Sequence, residues 1–286
     1  MFKEDNLNKI ILDNHKIIAE PVEEMAEDVT CGCGGNCGCG SSAHGGIQED
    51  TGTIPGYHPF VEMGFGWGMP VDYARIKSGD TVIDLGSGTG YDCFVAREIV
   101  GAEGKVIGID VNEQMLDKSR KNADVAGYNN VEFRLGDIER LPLSDKSAKV
   151  ILSNFSLNLV PEKGRAFKEA YRALKHHGQI CISDIFIMGD LPEGLKLDAD
   201  MYLGCMAGTI SLDECIKMLG ENGFEEITIH DIRKVELPDA MLHYYLPPNE
   251  AREFREGELG MYSVVISAEK PCCHAGEEGH VCCGNH

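Results

Sequence analysis

The sequence is short of positive charge and has no long apolar run. Its 26 Lys and Arg stand against 47 Asp and Glu, a formal net charge of −21. A field that negative repels phosphate backbones and anionic lipid head groups, so nucleic acid and membrane surfaces are not expected partners. No stretch approaches the roughly 20 consecutive apolar residues that cross a bilayer. In the opening MFKEDNLNKIILDNHKIIAEPVEEM the longest apolar runs are only two or three residues, interrupted by charges, so it does not read as a signal peptide. The chain is therefore expected in the cytoplasm, where thiols are kept reduced. With 43% hydrophobic residues among 286, it still has the material for a substantial core.

A reducing compartment makes the cysteines informative. Of twelve, eight lie in two terminal clusters, Cys31, Cys33, Cys37 and Cys39, then Cys272, Cys273, Cys282 and Cys283. Cys93, Cys181, Cys205 and Cys215 are scattered between them. C-x-C-x3-C-x-C and C-C-H-x5-H-x-C-C have the ligand density of soft-metal or metalloid sites, but match neither zinc-finger nor ferredoxin spacing. Three roles stay open for them: capture and hand-over of a metal or metalloid, redox dithiols, or incidental binding.

Residues 5–26 carry apolar positions at near-helical spacing, and the Gly-rich 31–46 segment has almost nothing to bury. From 57 onward strand and helix patterns alternate. Strands are expected over 81–85, 105–110, 131–135, 148–153, 179–187, 225–230 and 262–269. Helices are expected over 90–101, 112–127, 162–174 and 211–222. Asn112 is placed to cap one helix and Gly127 to end it. Such alternation predicts a parallel α/β sheet, with the last two strands adding an antiparallel edge. A 30-residue excursion with Pro238, Pro247 and Pro248 separates those two strands. The organisation reads as an N-terminal segment 1–56, a domain 57–270 and a tail 271–286.

The strongest motif is Val82-Ile-Asp-Leu-Gly-Ser-Gly-Thr-Gly90. Glycines at 86, 88 and 90 follow a strand and open a helix, so the chain can turn sharply and a ligand can approach the backbone. The helix N-terminus beyond offers free N–H groups. The next strand ends in Asp110, where a carboxylate can accept hydrogen bonds from ribose hydroxyls.

Asp84-x-Gly86-x-Gly88-x-Gly90 resembles the first motif of class I S-adenosylmethionine-dependent methyltransferases. Gly136-Asp137-Ile138 after the third strand resembles their adenine-binding segment. Met115 matches the apolar residue that packs on adenine, and Asn154, ending the fourth strand, matches the lining of the methionine end. The resemblance implies a Rossmann-like α/β fold, a mostly parallel seven-stranded sheet with helices on both faces. It implies S-adenosyl-L-methionine held by Asp84, Gly86, Ser87, Gly88, Gly90, Asp110, Val111, Met115, Gly136, Asp137, Ile138 and Asn154. Asp84 has a second reading, as a cap on the glycine loop, and Asp137 a second, as a backbone-only contact.

Phe65-Gly-Trp-Gly-Met-Pro70, Ser153-Asn-Phe-Ser-Leu-Asn-Leu-Val-Pro161 and the Cys205 segment resemble elements of the arsenite methyltransferase family. That family implies three thiolates converging on trivalent arsenic, and the 57–270 domain is expected to carry acceptor-site insertions after its fifth and sixth strands. Here Trp67 and Phe155 replace two of the cysteines and Cys205 alone remains as the catalytic-site thiol. Either cysteines of the terminal clusters complete the set, with a thiol reductant as a further partner, or the acceptor has changed. A soft acceptor needs no base, and His58, His243 and Tyr244 are the nearest candidates for one. Three functions follow: methylation of a metalloid, methylation of an organic small molecule, or a metal-binding sensor that keeps the cofactor fold.

Overall fold

The structure is a computed structural model and describes residues 68–189, 208–235, 239–257 and 259–272. A short helix α1 (Pro70–Tyr73) leads into β1 (Thr81–Leu85), α2 (Tyr91–Val100), β2 (Lys105–Asp110), α3 (Glu113–Ala126), β3 (Val131–Leu135) and β4 (Ala148–Asn154). There follow a 3-10 turn (Leu157–Leu159), α4 (Lys163–Ala173), β5 (Leu174–Met188), α5 (Leu212–Glu221), β6 (Glu225–Lys234), α6 (Asp239–Tyr245), α7 (Pro248–Glu256) and β7 (Gly260–Glu269).

The seven strands lie in the order β3-β2-β1-β4-β5-β7-β6. The first five are parallel, while β7 runs antiparallel to both β5 and β6. The chain order therefore reverses between β1 and β4, where ligands of open α/β sheets bind beyond the carboxyl ends.

Two-residue periodicity builds both faces of this sheet. Ile83, Leu85, Ile107, Ile109 and Ile151 pack toward α4 and α5, around Phe167 and Leu219. Val82, Val106, Val150 and Leu152 pack toward α2 and α3, around Phe94 and Leu116. Both faces are covered, so the central strands are apolar along their length instead of alternating.

Local signals set most boundaries. Asn112 Oδ1 accepts from the Gln114 and Met115 N–H groups at the start of α3, and Gly127 ends it at φ 70°. Ser211 and Glu214 close a reciprocal capping box on α5. The excursion between β6 and β7, to which the sequence reading gave no secondary structure, folds as α6 and α7. Pro248 occupies a first-turn position, where a missing N–H costs nothing. Leu242 and Phe254 of these helices, with Leu246 between them, make a third cluster with Ile185 and Met261. β5 also starts earlier than expected, because Leu174 already pairs with Ala148, ahead of a register shift near Gln179.

The loop after β4 is fastened from below by Asp184, which is fully buried on β5. Its Oδ2 accepts from the Asn158 N–H at 3.1 Å and its Oδ1 from the Ile185 N–H at 2.9 Å. Asn158 Nδ2 in turn donates to the Ile185 carbonyl at 2.8 Å. Burial pushes the Asp184 carboxyl up to about 7, against these donors and the nearby Lys163 ammonium. Lys163 donates to the Val160 carbonyl, and burial pulls it below the usual lysine range. Among the described residues no helix is long and apolar enough to cross a membrane.

An unfolded aspartate releases its proton near pH 4, whereas Asp184 in the fold holds it to about pH 7. Between those values the native state binds more protons, so this group makes stability fall as pH rises. Asp184→Asn should flatten that decline. Urea midpoints at pH 5, 6 and 7 should fall less steeply in the variant than in the wild type, and parallel slopes would refute the assignment.

Candidate functional site

The site lies at the carboxyl ends of β1, β2 and β4. β1 runs out into Gly86, Gly88 and Gly90, at φ 73°, 51° and 96°. The three glycines serve different needs. A Cβ on Gly86 would overlap the Ser156 side chain, and one on Gly90 would come within 2.8 Å of the Phe133 ring. A Cβ on Gly88 would meet nothing within 4 Å. The outer glycines are demanded by the protein's own packing, whereas the middle one leaves its backbone open to an approaching ligand.

Asp110 holds this loop in place. Its Oδ2 accepts from the Gly88 N–H at 2.9 Å and its Oδ1 from the Asn112 N–H at 2.8 Å. The Gly86 and Ser87 N–H groups donate to the Ile109 carbonyl, so the end of β2 grips the loop twice. Each Asp110 oxygen keeps a lone pair for a ligand hydroxyl. Ser87 is 7% exposed, and its Oγ has no hydrogen-bond partner among the described residues.

The other expected residues ring this loop unevenly. Val111 is exposed beside Asp110, while Met115 is buried in the first turn of α3. The Gly136 N–H donates to the Asp110 carbonyl at 2.9 Å, fixing the β3 exit against the β2 exit. Asp137 is exposed, and its Oδ1 accepts from the Glu139 N–H at 2.8 Å in a local turn. Ile138 is buried and packs in the α4–α5 core.

Asp84 lies beneath the loop. It is 2% exposed, and its Oδ2 accepts from the Cys93 thiol at 3.3 Å. Burial, with Asp92 and Asp110 nearby, holds its carboxyl well above the usual range. Asn154 Nδ2, ending β4, donates at 3.0 Å to Asp92 Oδ2 and at 3.0 Å to the Gly68 carbonyl. Asp92 was not singled out in the sequence. Its only signal was an acid two residues after Gly90, which also suits any helix N-terminus.

On the acceptor side, Phe155 sits at φ 53°, with its N–H donating to the Ser183 carbonyl at 2.8 Å. Its ring packs against the third cluster. His243 and Tyr244 are exposed on α6, and His58 lies outside the described residues. Trp67, Cys205, Cys31, Cys33, Cys37, Cys39, Cys273, Cys282 and Cys283 also lie outside them. Cys272 is half-buried just past β7. The remaining thiols are decided. Cys93, Cys181 and Cys215 are buried, and burial pushes Cys181 and Cys215 up to about 12. They stay protonated and inert at neutral pH.

The loop open at Gly88, an acid with spare lone pairs and an unsatisfied serine hydroxyl fit a ribose-bearing ligand with polar ends. Comparison with known proteins gives the same reading. A methyltransferase-domain family profile matches residues 76–234. An arsenite methyltransferase of Halobacterium salinarum is 34% identical over 279 residues, 93% of this chain and 67% of that protein. A human arsenite methyltransferase is 34% identical over 152 residues, half of this chain and 40% of its own length. A solved arsenic(III) S-adenosylmethionine methyltransferase from Chlamydomonas reinhardtii superposes with a TM-score of 0.62 at 30% identity, covering 72% of this chain and 68% of the other. The chain thus spans two thirds of one curated relative and well under half of another. Fold, site and relatives agree: the chain belongs to the S-adenosylmethionine-dependent methyltransferases, in their arsenite methyltransferase-like branch.

Proposed function

We propose that this protein methylates a trivalent metalloid, arsenite above all, in the cytoplasm. The likeness to an arsenite methyltransferase along 93% of the chain carries the reading. In it, the Asp110 carboxylate takes the ribose hydroxyls, the Gly88 backbone lies against the ligand, and Met115 and the 136–138 segment flank the adenine. Asp84 supports the loop from below through Cys93. When bound, S-adenosylmethionine supplies a sulfonium-activated methyl group that a soft nucleophile accepts by in-line attack without a base.

Holding arsenic before that methyl takes several thiolates, which are its preferred soft ligands. The buried thiols of Cys93, Cys181 and Cys215 are protonated core groups, so they drop out of the count. The reading therefore assigns the ligand set to Cys205 together with Cys31–Cys39 and Cys272–Cys283, on segments 1–56 and 271–286 flanking the 57–270 domain. A small-thiol reductant would keep them reduced. An organic acceptor is the second reading, favoured by Phe155, whose ring stands where the family has a thiolate ligand.

The cofactor half is tested at the middle glycine. Gly88→Ala should cost roughly 1–2 kcal/mol in stability, because only the left-handed backbone is strained. It should weaken S-adenosylhomocysteine binding at least tenfold in calorimetric titration. Gly86→Ala, which also meets Ser156, should lose more stability. Unchanged affinity in Gly88→Ala would remove that backbone from the site.

The acceptor half is tested by methylated arsenic formed at fixed glutathione, separated by chromatography with element detection. Cys205→Ser should abolish product, and replacing either terminal cluster should cut it severely, with S-adenosylhomocysteine affinity unchanged in each. A wild type that makes no methylated arsenic, or clusters that prove dispensable, would move the proposal to an organic acceptor.

A further inference from the structure

The loop after β4 is joined to the glycine loop by a buried pair of hydroxyls. Ser156 follows Phe155 and is 6% exposed, and its Oγ donates to the Leu85 carbonyl at 2.7 Å. Leu85 closes β1 and immediately precedes Gly86. A hydroxyl has a single proton and a carbonyl can only accept, so the Ser156 proton is committed. The fully buried Ser153 hydroxyl, 2.7 Å from Ser156 Oγ, is therefore the donor of the bond between them. The result is a directed chain from Ser153 to Ser156 to Leu85, running from β4 into the end of β1.

Packing follows the same line. A Cβ on Gly86 would overlap the Ser156 side chain, so the first turn of the glycine loop lies directly on that serine. On its other side Ser156 opens the 3-10 turn, where its carbonyl accepts from the Leu159 N–H at 3.2 Å. Phe155 has the left-handed backbone that a bulky residue adopts only when its surroundings impose it. A bond on either side of that residue imposes it here: the Phe155 N–H to the Ser183 carbonyl, and the Ser156 hydroxyl to Leu85. The segment that carries Phe155 is thus referenced to the turn that carries Gly88.

We infer that Ser156 is a positioning residue that couples donor binding to the acceptor side. A methyl donor lying on the Gly88 backbone fixes Leu85 and Gly86, and through the Ser156 hydroxyl it fixes residues 155–160. The inference rests on the S-adenosylmethionine reading of the glycine loop, and it is the same for a metalloid or an organic acceptor. Its physical basis is local opening. If 155–160 opened alone, the Ser156–Leu85 bond would break and leave buried polar groups without partners, so the segment opens together with the glycine loop. A ligand that holds the glycine loop closed then holds the segment closed as well. Such coupling is reciprocal, so an acceptor held against 155–160 tightens donor binding by the same factor.

The test is amide hydrogen exchange with and without saturating S-adenosylhomocysteine. In the wild type the ligand should slow the Gly86, Gly88 and Gly90 amides and, at least fivefold, those of Leu159 and Val160. Ser156→Ala keeps its Cβ against Gly86 but has no hydroxyl. There the glycine loop should still be slowed, and Leu159 and Val160 by less than twofold. Ser153→Ala leaves the Ser156–Leu85 bond in place and should behave as the wild type. Ser156→Cys, a weaker donor of similar volume, should fall between them and serves if Ser156→Ala does not fold. A serine that only filled space would change exchange in the free protein, without changing this ligand-dependent difference. Full slowing in Ser156→Ala, equal loss in both alanine variants, or no slowing at Leu159 and Val160 in the wild type would overturn the inference and leave the cofactor reading intact. A wild type in which the ligand slows neither loop would overturn the cofactor reading, and this inference with it.

Discussion

The Asp110 carboxylate accepts one hydrogen bond from the Gly88 N–H and another from the Asn112 N–H, and the site is organised around that pair. The first bond fixes a glycine loop whose three left-handed residues would otherwise be free to sample many backbone states. The second sets the entry to α3, where Asn112 caps the helix and Met115 is buried in the first turn. The backbone carbonyl of the same aspartate receives the Gly136 N–H, so the exit of β3 is referenced to the same point. One residue at the end of one strand thereby aligns three loops, each of which carries part of the proposed adenosine pocket.

The opposite half of the site is built on buried acid. Asp84 and Asp92 lie beneath and beside the glycine loop, and both carboxyls are raised by desolvation. Asp184 lies on the α4 side of β5 and secures the β4 loop through Asn158. Each lowers the fold's stability at neutral pH relative to an apolar residue of the same size. A protein that keeps such groups at one end of its sheet has sacrificed stability for a polar, pre-set cavity, as functional sites commonly do.

The cysteines divide by environment and not by number. Three of the scattered thiols are core residues behaving as small hydrophobes, packed against the sheet and held protonated. Their removal from the count leaves Cys205 and the terminal clusters as the only sources of thiolate chemistry in the sequence. Phe155, at a position where the resemblance implies a thiolate, turns to an apolar cluster made by α6 and α7. At that point the acceptor side is apolar packing, and the proposed arsenic ligands are sulfurs from elsewhere in the chain.

By itself the sequence determined the order of strands and helices, the antiparallel edge, the glycine loop and the acid closing β2. Each of these is written locally. Apolar runs of five or six residues end in glycine, Asn112 and Gly127 bracket a helix, and Asp110 follows Gly90 at one crossover's length. It left the span between β6 and β7 unassigned, because proline at a helix start and proline as a breaker look alike until Leu242 and Phe254 join Ile185 in one cluster. Which glycine leaves room for a ligand was equally hidden, since it depends on Ser156 and Phe133, far away in the chain, filling the space beside the other two. Only the tertiary structure brought Asp92, Asn154 and Gly68 together from α2, β4 and the segment before α1. A buried carboxylate is a property of desolvation by distant neighbours, and no local pattern encodes it.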